Sequence, residues 1–303
     1  MTLHDNLDPA TLNAVKTVVA EFPYHTMFAV VSGSHSYGFP SYNSDVDVRV
    51  VYTLPLEQVI GLRVGREEIH RTETVTIGSQ AVVIDLVAME LGKYCRLLAN
   101  GDGNSNEWLH SPLVIEGYGA MRDLVSCMVN SANLSTLRHY VGFAQSQSAR
   151  FYFGKPEGEG LGYAKSFLYC ARLLLTGLLY LHSGGEDVVL DPQLALLLLK
   201  DSPYAPAIDD IGKDEFSLGV GEALQKATAD KRQSEKAMVS FPVENGVTTL
   251  RLLAEVFINV VSKADFPNKP SEEVVQRLDT YLRNIRLPAK SSHTIQMDTL
   301  RAW

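Results

Sequence analysis

Val46, Val48, Val50 and Tyr52 alternate with Asp45, Asp47 and Arg49. That period of two predicts a strand with one apolar face. Upstream, Met27 to Val31 is a continuous apolar run that stops at Ser32-Gly33-Ser34, a buried strand ending in a turn. Before it, Asp8-Pro9 combines an N-cap side chain with proline at the first helical position, and Leu12, Val15, Val18 and Val19 follow at helical spacing as far as Pro23. Residues 67–77 and 80–88 read as two strands joined at Gly78-Ser79, and the second is apolar from Ala81 to Val87 except for Asp85. From Glu90 onward helical periods take over, at about 90–99, 106–110, 112–130, 133–150, 162–182, 191–200, 219–238, 246–264 and 271–285.

These elements predict an α+β protein. Residues 1–90 form a module built on a small mixed β-sheet with helices on one side, and residues 91–290 form a helical module closing a cleft over it. A polar tail, 291–303, ends in Trp303, an aromatic able to dock. Two loops stand out, the glycine-rich stretch from Gly154 to Gly162 and the stretch from Ser202 to Gly212 with its two prolines.

Composition narrows the functional classes. With 46% hydrophobic and 20% charged residues the chain is no disordered protein. The 27 Lys and Arg against 35 Asp and Glu leave a net charge of −8, which argues against a broad basic surface for long duplex nucleic acid but leaves room for a local basic groove. Cys95, Cys127 and Cys170 are far apart and belong to no Cys/His cluster, so neither structural zinc nor a disulfide framework is expected. The most apolar stretch, Phe167 to Leu181, is interrupted by Arg172 and reads as a buried helix, not a bilayer span, which needs about 20 apolar residues. Met1 to Pro9 has no apolar run and is not a signal peptide. A cytoplasmic protein without a membrane partner is the expectation.

The chemistry concentrates at residues 32–52. A glycine-serine turn, Gly33-Ser34, leaves the buried strand, and after ten intervening residues Asp45 and Asp47 open the next one. Side chains two apart on a strand share a face, so the two carboxylates project together and repel unless a cation lies between them. Hard oxygen donors in that arrangement suit Mg²⁺ or Mn²⁺, which also bind substrate phosphates. Asp85, a charge in an apolar strand, is costly unless paired or metal-bound. If its strand neighbours that of Asp47, it completes a site for two ions. Otherwise it faces water or pairs with Arg49 or Arg71. Gly33 lets backbone approach a triphosphate, and exposed amides with the Ser34 hydroxyl can hold its oxygens.

The pattern resembles the nucleotidyltransferase superfamily of DNA polymerase β. The run Gly33-Ser34-His35-Ser36-Tyr37-Gly38, then Ser44-Asp45-Val46-Asp47, is similar to predicted bacterial and phage nucleotidyltransferases sometimes found beside RNA-repair ligases. Asn106-Glu107-Trp108-Leu109, Ser111-Pro112 and the helix from Lys165 to Arg172 resemble later parts of the same family. The resemblance spans residues 28–182 and implies transfer of a nucleoside monophosphate from an NTP, with pyrophosphate released. Asp45 and Asp47 would hold two Mg²⁺ or Mn²⁺ ions. Asp85 would bind the catalytic ion and help activate the acceptor hydroxyl, and Gly33 and Ser34 would bind the β- and γ-phosphates.

Other residues keep two readings. Ser44 either caps the turn before the metal strand or touches a phosphate. Lys165 and Arg172, seven residues apart on one helix face, either neutralise the triphosphate or form surface and ion-pair contacts. Tyr37 is a packing or a base-stacking residue, and His35 a triphosphate contact or a solvent-facing histidine. His139-Tyr140 and Lys155 are weaker contact candidates. Lys231-Arg232 reads as a solvated face, and the leucines of 194–199 as core or an oligomer contact. The acceptor is a single-stranded RNA or DNA end, a protein side chain or a small alcohol. A sensor that binds NTP without turnover is the alternative class, and a phosphohydrolase is disfavoured because only His35 lies close to the aspartates.

Overall fold

A computed structural model describes residues 7–60, 62, 65–154, 162–213 and 215–287. Helix α1 (Pro9–Ala20) starts where the Asp8 carboxylate accepts the amides of Ala10 and Thr11, two donors that a first turn leaves unpaired. Five strands follow: β1 (His25–Ser32), β2 (Val46–Thr53), β3 (Glu68–Ile77), β4 (Gln80–Glu90) and β5 (Val114–Glu116). They form one mixed sheet in the order β3-β4-β2-β1-β5. β1 runs antiparallel to β2 and β5, β3 and β4 make a hairpin across Gly78, and β4 lies parallel to β2. The fold is the expected α+β arrangement, with the sheet in the N-terminal part and helices in the C-terminal part.

Helices cover both faces of the sheet, where one was expected. Val31, Val48, Val50, Ile84 and Leu86 pack on Val15, Val18 and Val19 of α1. Phe28, Val30 and Val51 face the other way, onto α3 (Leu91–Ala99), α4 (Gly103–Leu109), α5 (Tyr118–Cys127) and α12 (Glu272–Arg286). The reason is visible in β1, whose last six residues are all buried, as a strand between two layers must be. β5 and α5 together replace the single helix expected at 112–130. A three-residue strand is too short to leave a period, and Gly117, at φ +73 against the Phe28 backbone, turns the chain into α5.

The helical part comprises α6 (Leu134–Phe153), α7 (Ala164–His182), α8 (Pro192–Leu198), the short α9 (Ala205–Asp209) inside the expected loop, α10 (Val220–Gln233) and α11 (Val243–Val261), before α12 returns to the sheet. Helix α7 is long and apolar enough to cross a bilayer, but 89% of that window is buried inside the fold, which makes it the axis of a helical core. The two parts are tied at their far end by Arg286 of α12, which donates to Glu90 at 2.7 Å. Glu90 also caps α3 by accepting the amides of Gly92 and Lys93.

Candidate active site

The site grows from the end of β1. Ser32 pairs in register with Asp47 of β2, and the chain then enters the short helix α2 (Gly33–Ser36) through Gly33 at φ +66. A Cβ at Gly33 would overlap Asp47 Oδ2 and stand 2.9 Å from its Cγ. Glycine is therefore needed there both for its dihedral and for room beside a carboxylate. Behind the turn, the hydroxyls of Ser36 and Ser111 both donate to the Val31 carbonyl and lie 3.2 Å apart. Ser34 and His35 are buried in α2, so His35 is not the solvent-facing histidine that one reading allowed.

Asp47 lies opposite Asp85 in the parallel β2–β4 ladder, which puts both side chains on one face of the sheet. Asp45 precedes Asp47 by two residues at the exposed mouth of the strand. Its carboxyl is raised above the ordinary carboxylate range, first by partial burial and then by the charges of Asp85, Glu235 and Asp47, with Lys165 pulling the other way. The three aspartates thus share one electrostatic field. Arg49 donates to Asp47 Oδ1 at 2.8 Å and to the Asp85 carbonyl at 3.3 Å. Arg71 pairs with Glu73 and Glu21, so neither arginine neutralises the Asp85 carboxylate. Asp45, Asp47 and Asp85 are hard oxygen donors on one face, the right kind of set for a magnesium-class ion. As placed, no three acidic, imidazole or thiol side chains among the described residues close around a point where an ion could sit.

Asp45 opens onto a cavity of about 460 Å³, lined also by Phe143, Gln147, Arg150, Tyr163, Lys165, Ser166, Tyr169, Glu235 and Lys236. Lys165 stands 6.0 Å over the Tyr169 ring, and so does Arg172, which confirms that the two share a helix face. Their surroundings differ. Lys165 reaches the cavity and pairs with Glu235 at 3.0 Å. Arg172 is wholly buried, donates to Glu107 at 2.8 Å and lies 4.0 Å over the Tyr37 ring. The expectation that Arg172 binds nucleotide is thus corrected: α7 is enclosed along that stretch, and the guanidinium is consumed by an internal ion pair. Burial disfavours its charge, but Glu107 more than offsets this and raises its pKa. Tyr37 is correspondingly a packing residue, with its hydroxyl 3.4 Å from Glu107.

Lys231 is a second correction. It is fully buried rather than solvated, donating to Glu235 at 2.5 Å and to Ser44 at 3.4 Å. Glu235 also accepts from Ser41 at 2.9 Å and from Ser44. Burial opposes ionisation of Glu235, but bonds from Lys231 and Ser44 and the charge of Lys165 outweigh it and hold the carboxyl at about 2. Ser44 is therefore a structural hydroxyl in this state. Sequence reasoning missed Glu235. One signal was present, because Lys231 continues the buried stripe Val220, Ala223, Leu224, Ala227, Thr228 of α10, and a lysine on an apolar stripe needs an acidic partner.

Among the weaker candidates, Tyr140 is buried beside Glu107 and His139 packs against Gly103. Lys155 lies outside the described residues, as does the tail with Trp303. Trp108 fills the core, stacked on Tyr94. Leu194, Leu197 and Leu198 are exposed, while Leu199 is buried.

A glycine-serine turn packed against strand aspartates on a small mixed sheet is the arrangement of a polymerase β-like nucleotidyltransferase. Residues 7–199 match the model of the RNA repair pathway DNA polymerase beta family, and the chain belongs to that family. Over 103 residues it is 30% identical to the uncharacterized protein YcgL of Bacillus subtilis (strain 168), a span covering 34% of this chain and 37% of that protein. The chain therefore spans little more than a third of the length of this curated relative. A crystal structure of a nucleotidyltransferase-like protein from Exiguobacterium sibiricum 255-15 aligns over 90% of this chain and 77% of its own at 10% identity, with a TM-score of 0.24, a likeness too slight to define the fold.

Proposed function

We propose that this chain is a metal-dependent, template-independent nucleotidyltransferase that moves a nucleoside monophosphate from an NTP to an acceptor hydroxyl. The observation that carries the proposal is the fit of Gly33 against Asp47, where any Cβ would overlap the carboxylate. It sets a turn suited to phosphate oxygens directly beside a carboxylate suited to a divalent ion. Two Mg²⁺ or Mn²⁺ ions, when bound, would offset charge on the phosphoryl oxygens. Asp45 and Asp47 would hold both and Asp85 the catalytic one. The backbone at Gly33 and the Ser34 hydroxyl bind the β- and γ-phosphates, and Lys165 neutralises charge from the cavity wall. The acceptor oxygen bonds to the α-phosphorus, its proton passes to Asp85, and the bond to the β-phosphate breaks to release pyrophosphate. Arg172 acts behind the turn by fixing Tyr37 and Glu107.

A single-stranded RNA 3′ end is the acceptor we favour, supported by the family's RNA-repair description. With a net charge of −8, contact must be local, at a few cations such as Arg150, Lys165 and Lys236 around the cavity. A cytoplasmic setting, where NTPs are abundant and thiols such as Cys95, Cys127 and Cys170 stay free, fits this reaction. One observation favours a second reading, an NTP sensor: Arg49 already engages Asp47. Incubation with α-labelled NTP and single-stranded RNA separates these. Label on the RNA supports the proposal. Label on protein or a small alcohol keeps the transferase and replaces its acceptor. NTP binding without label transfer to any acceptor moves the assignment to the sensor.

A further inference from the structure

We propose that Glu235 is a positioning residue that sets both halves of the site, an inference that rests on the metal-dependent transfer proposed above. It lies outside the family-matched residues 7–199 and 191 residues from Ser44 in sequence. Its two carboxylate oxygens divide the work. Oε1 accepts from Ser41, Ser44 and the buried Lys231 ammonium, fastening the segment that ends at Asp45. Oε2 takes Lys165 at 3.0 Å, holding it on the wall of the cavity that Asp45 also lines. The segment is knotted further, since Ser44 Oγ accepts the Ser41 amide at 2.8 Å and the Ser44 amide donates to the Ser41 carbonyl at 3.1 Å. With the Ser44 side chain clamped, the adjacent Asp45 has little freedom to swing away from Asp47 and Asp85. One carboxylate just beyond the C-terminus of α10 thereby places the outermost metal-class donor and the phosphate-class cation relative to each other. The helical part does more than cover the sheet; it supplies the fixed point from which the mouth of β2 is hung.

The test uses the full chain, Mn²⁺ alone as the probe, and hydrogen exchange at the Ser41 and Ser44 amides. The double variant Glu235→Ala/Lys231→Met removes the clamp without stranding a buried ammonium, the main source of destabilisation when one partner of such a pair is lost. It should melt near wild type, lose Mn²⁺ affinity by about tenfold or more, the usual cost of removing a residue that orients metal ligands, and exchange both amides faster. Glu235→Gln/Lys231→Met keeps an acceptor for the serines, strands no ammonium, and removes the charge that holds Lys165. It should retain Mn²⁺ affinity and slow exchange, and raise the NTP KM. Unchanged exchange and unchanged Mn²⁺ affinity in the double variant would overturn the proposal. If wild type binds no Mn²⁺, the metal-dependent reading fails instead, and exchange alone decides whether Glu235 fixes the segment.

Discussion

Gly33→Ala separates two demands that coincide at one residue, a left-handed backbone and room for Asp47. An alanine held at φ +66 costs roughly 1–2 kcal/mol of backbone strain. Gly78 offers the control, at φ +62 with nothing within 4 Å of an added Cβ. Gly78→Ala therefore pays the strain alone, and the change in unfolded-chain entropy is common to both variants. At Gly33 the Cβ also stands 2.9 Å from Asp47 Cγ, against 3.4 Å or more in ordinary contact. The carboxylate must retreat by about half an ångström, and Oδ2 by more. Misplacement of about 1 Å at a reacting centre costs about 10²-fold in rate. We expect Gly33→Ala to be less stable than Gly78→Ala in denaturant titration, to bind Mn²⁺ more weakly, and to turn over NTP about 100-fold more slowly, while Gly78→Ala keeps wild-type turnover. In an Asp47→Ala background the carboxylate is gone, and the cost of Gly33→Ala should fall to that of Gly78→Ala, a coupling that a double-mutant cycle measures directly. Equal stability of the two single variants, with metal affinity and turnover intact in Gly33→Ala, would refute the placement of the turn against Asp47.

Other consequences can be checked in the same preparations. Because neighbouring carboxylates help raise the Asp45 pKa, Asp45→Asn should melt at or above the wild-type temperature while nucleotidyl transfer disappears; undiminished turnover would sink its assigned role. Arg172→Ala strands Glu107 in the core and should cost about 3–5 kcal/mol in chemical denaturation, whereas Arg172→Met with Glu107→Leu should recover most of that loss. Glu235 is held at about 2 against an ordinary 4.5, so its contribution to stability is complete above pH 4.5 and is lost as pH falls towards 2. Glu235→Gln should flatten that limb of the melting-temperature profile between pH 4.5 and 2, and superimposable profiles would contradict the ion-pair cluster.

The strands around Asp45 and Asp47 were legible because β2 alternates with the two-residue period of a half-buried strand and β1 is the unbroken apolar run of a strand buried on both faces. Turn signals at Gly33 and Gly78 were legible too, both being positive-φ glycines. The pairing of Asp47 with Asp85 was not local information. It depends on β4 inserting beside β2 instead of extending the hairpin outward; the lone charge in an apolar strand and the family resemblance pointed to it, but neither fixed the strand order. Arg172 shows the limit of helix-face reasoning: spacing correctly put it on the side of Lys165, but whether a cation on an apolar helix reaches solvent depends on what packs opposite, here Glu107 and Tyr37. The Lys231–Glu235 pair is an i,i+4 contact that the buried stripe of α10 hinted at, but the bonds of Glu235 to Ser41 and Ser44 span nearly two hundred residues, beyond any window of periodicity. β5 was lost inside a longer apolar stretch because three residues carry no period.

The central claim is nucleotidyl transfer at Asp45, Asp47 and Asp85. Its most direct test is pyrophosphate release from each of the four NTPs in Mg²⁺ and then Mn²⁺, with and without single-stranded RNA, by wild type and Asp45→Asn in parallel. The account predicts metal-dependent release by wild type, increased by RNA, and none by Asp45→Asn. Release that survives Asp45→Asn, or no release by wild type under any of these conditions while NTP still binds, would contradict it.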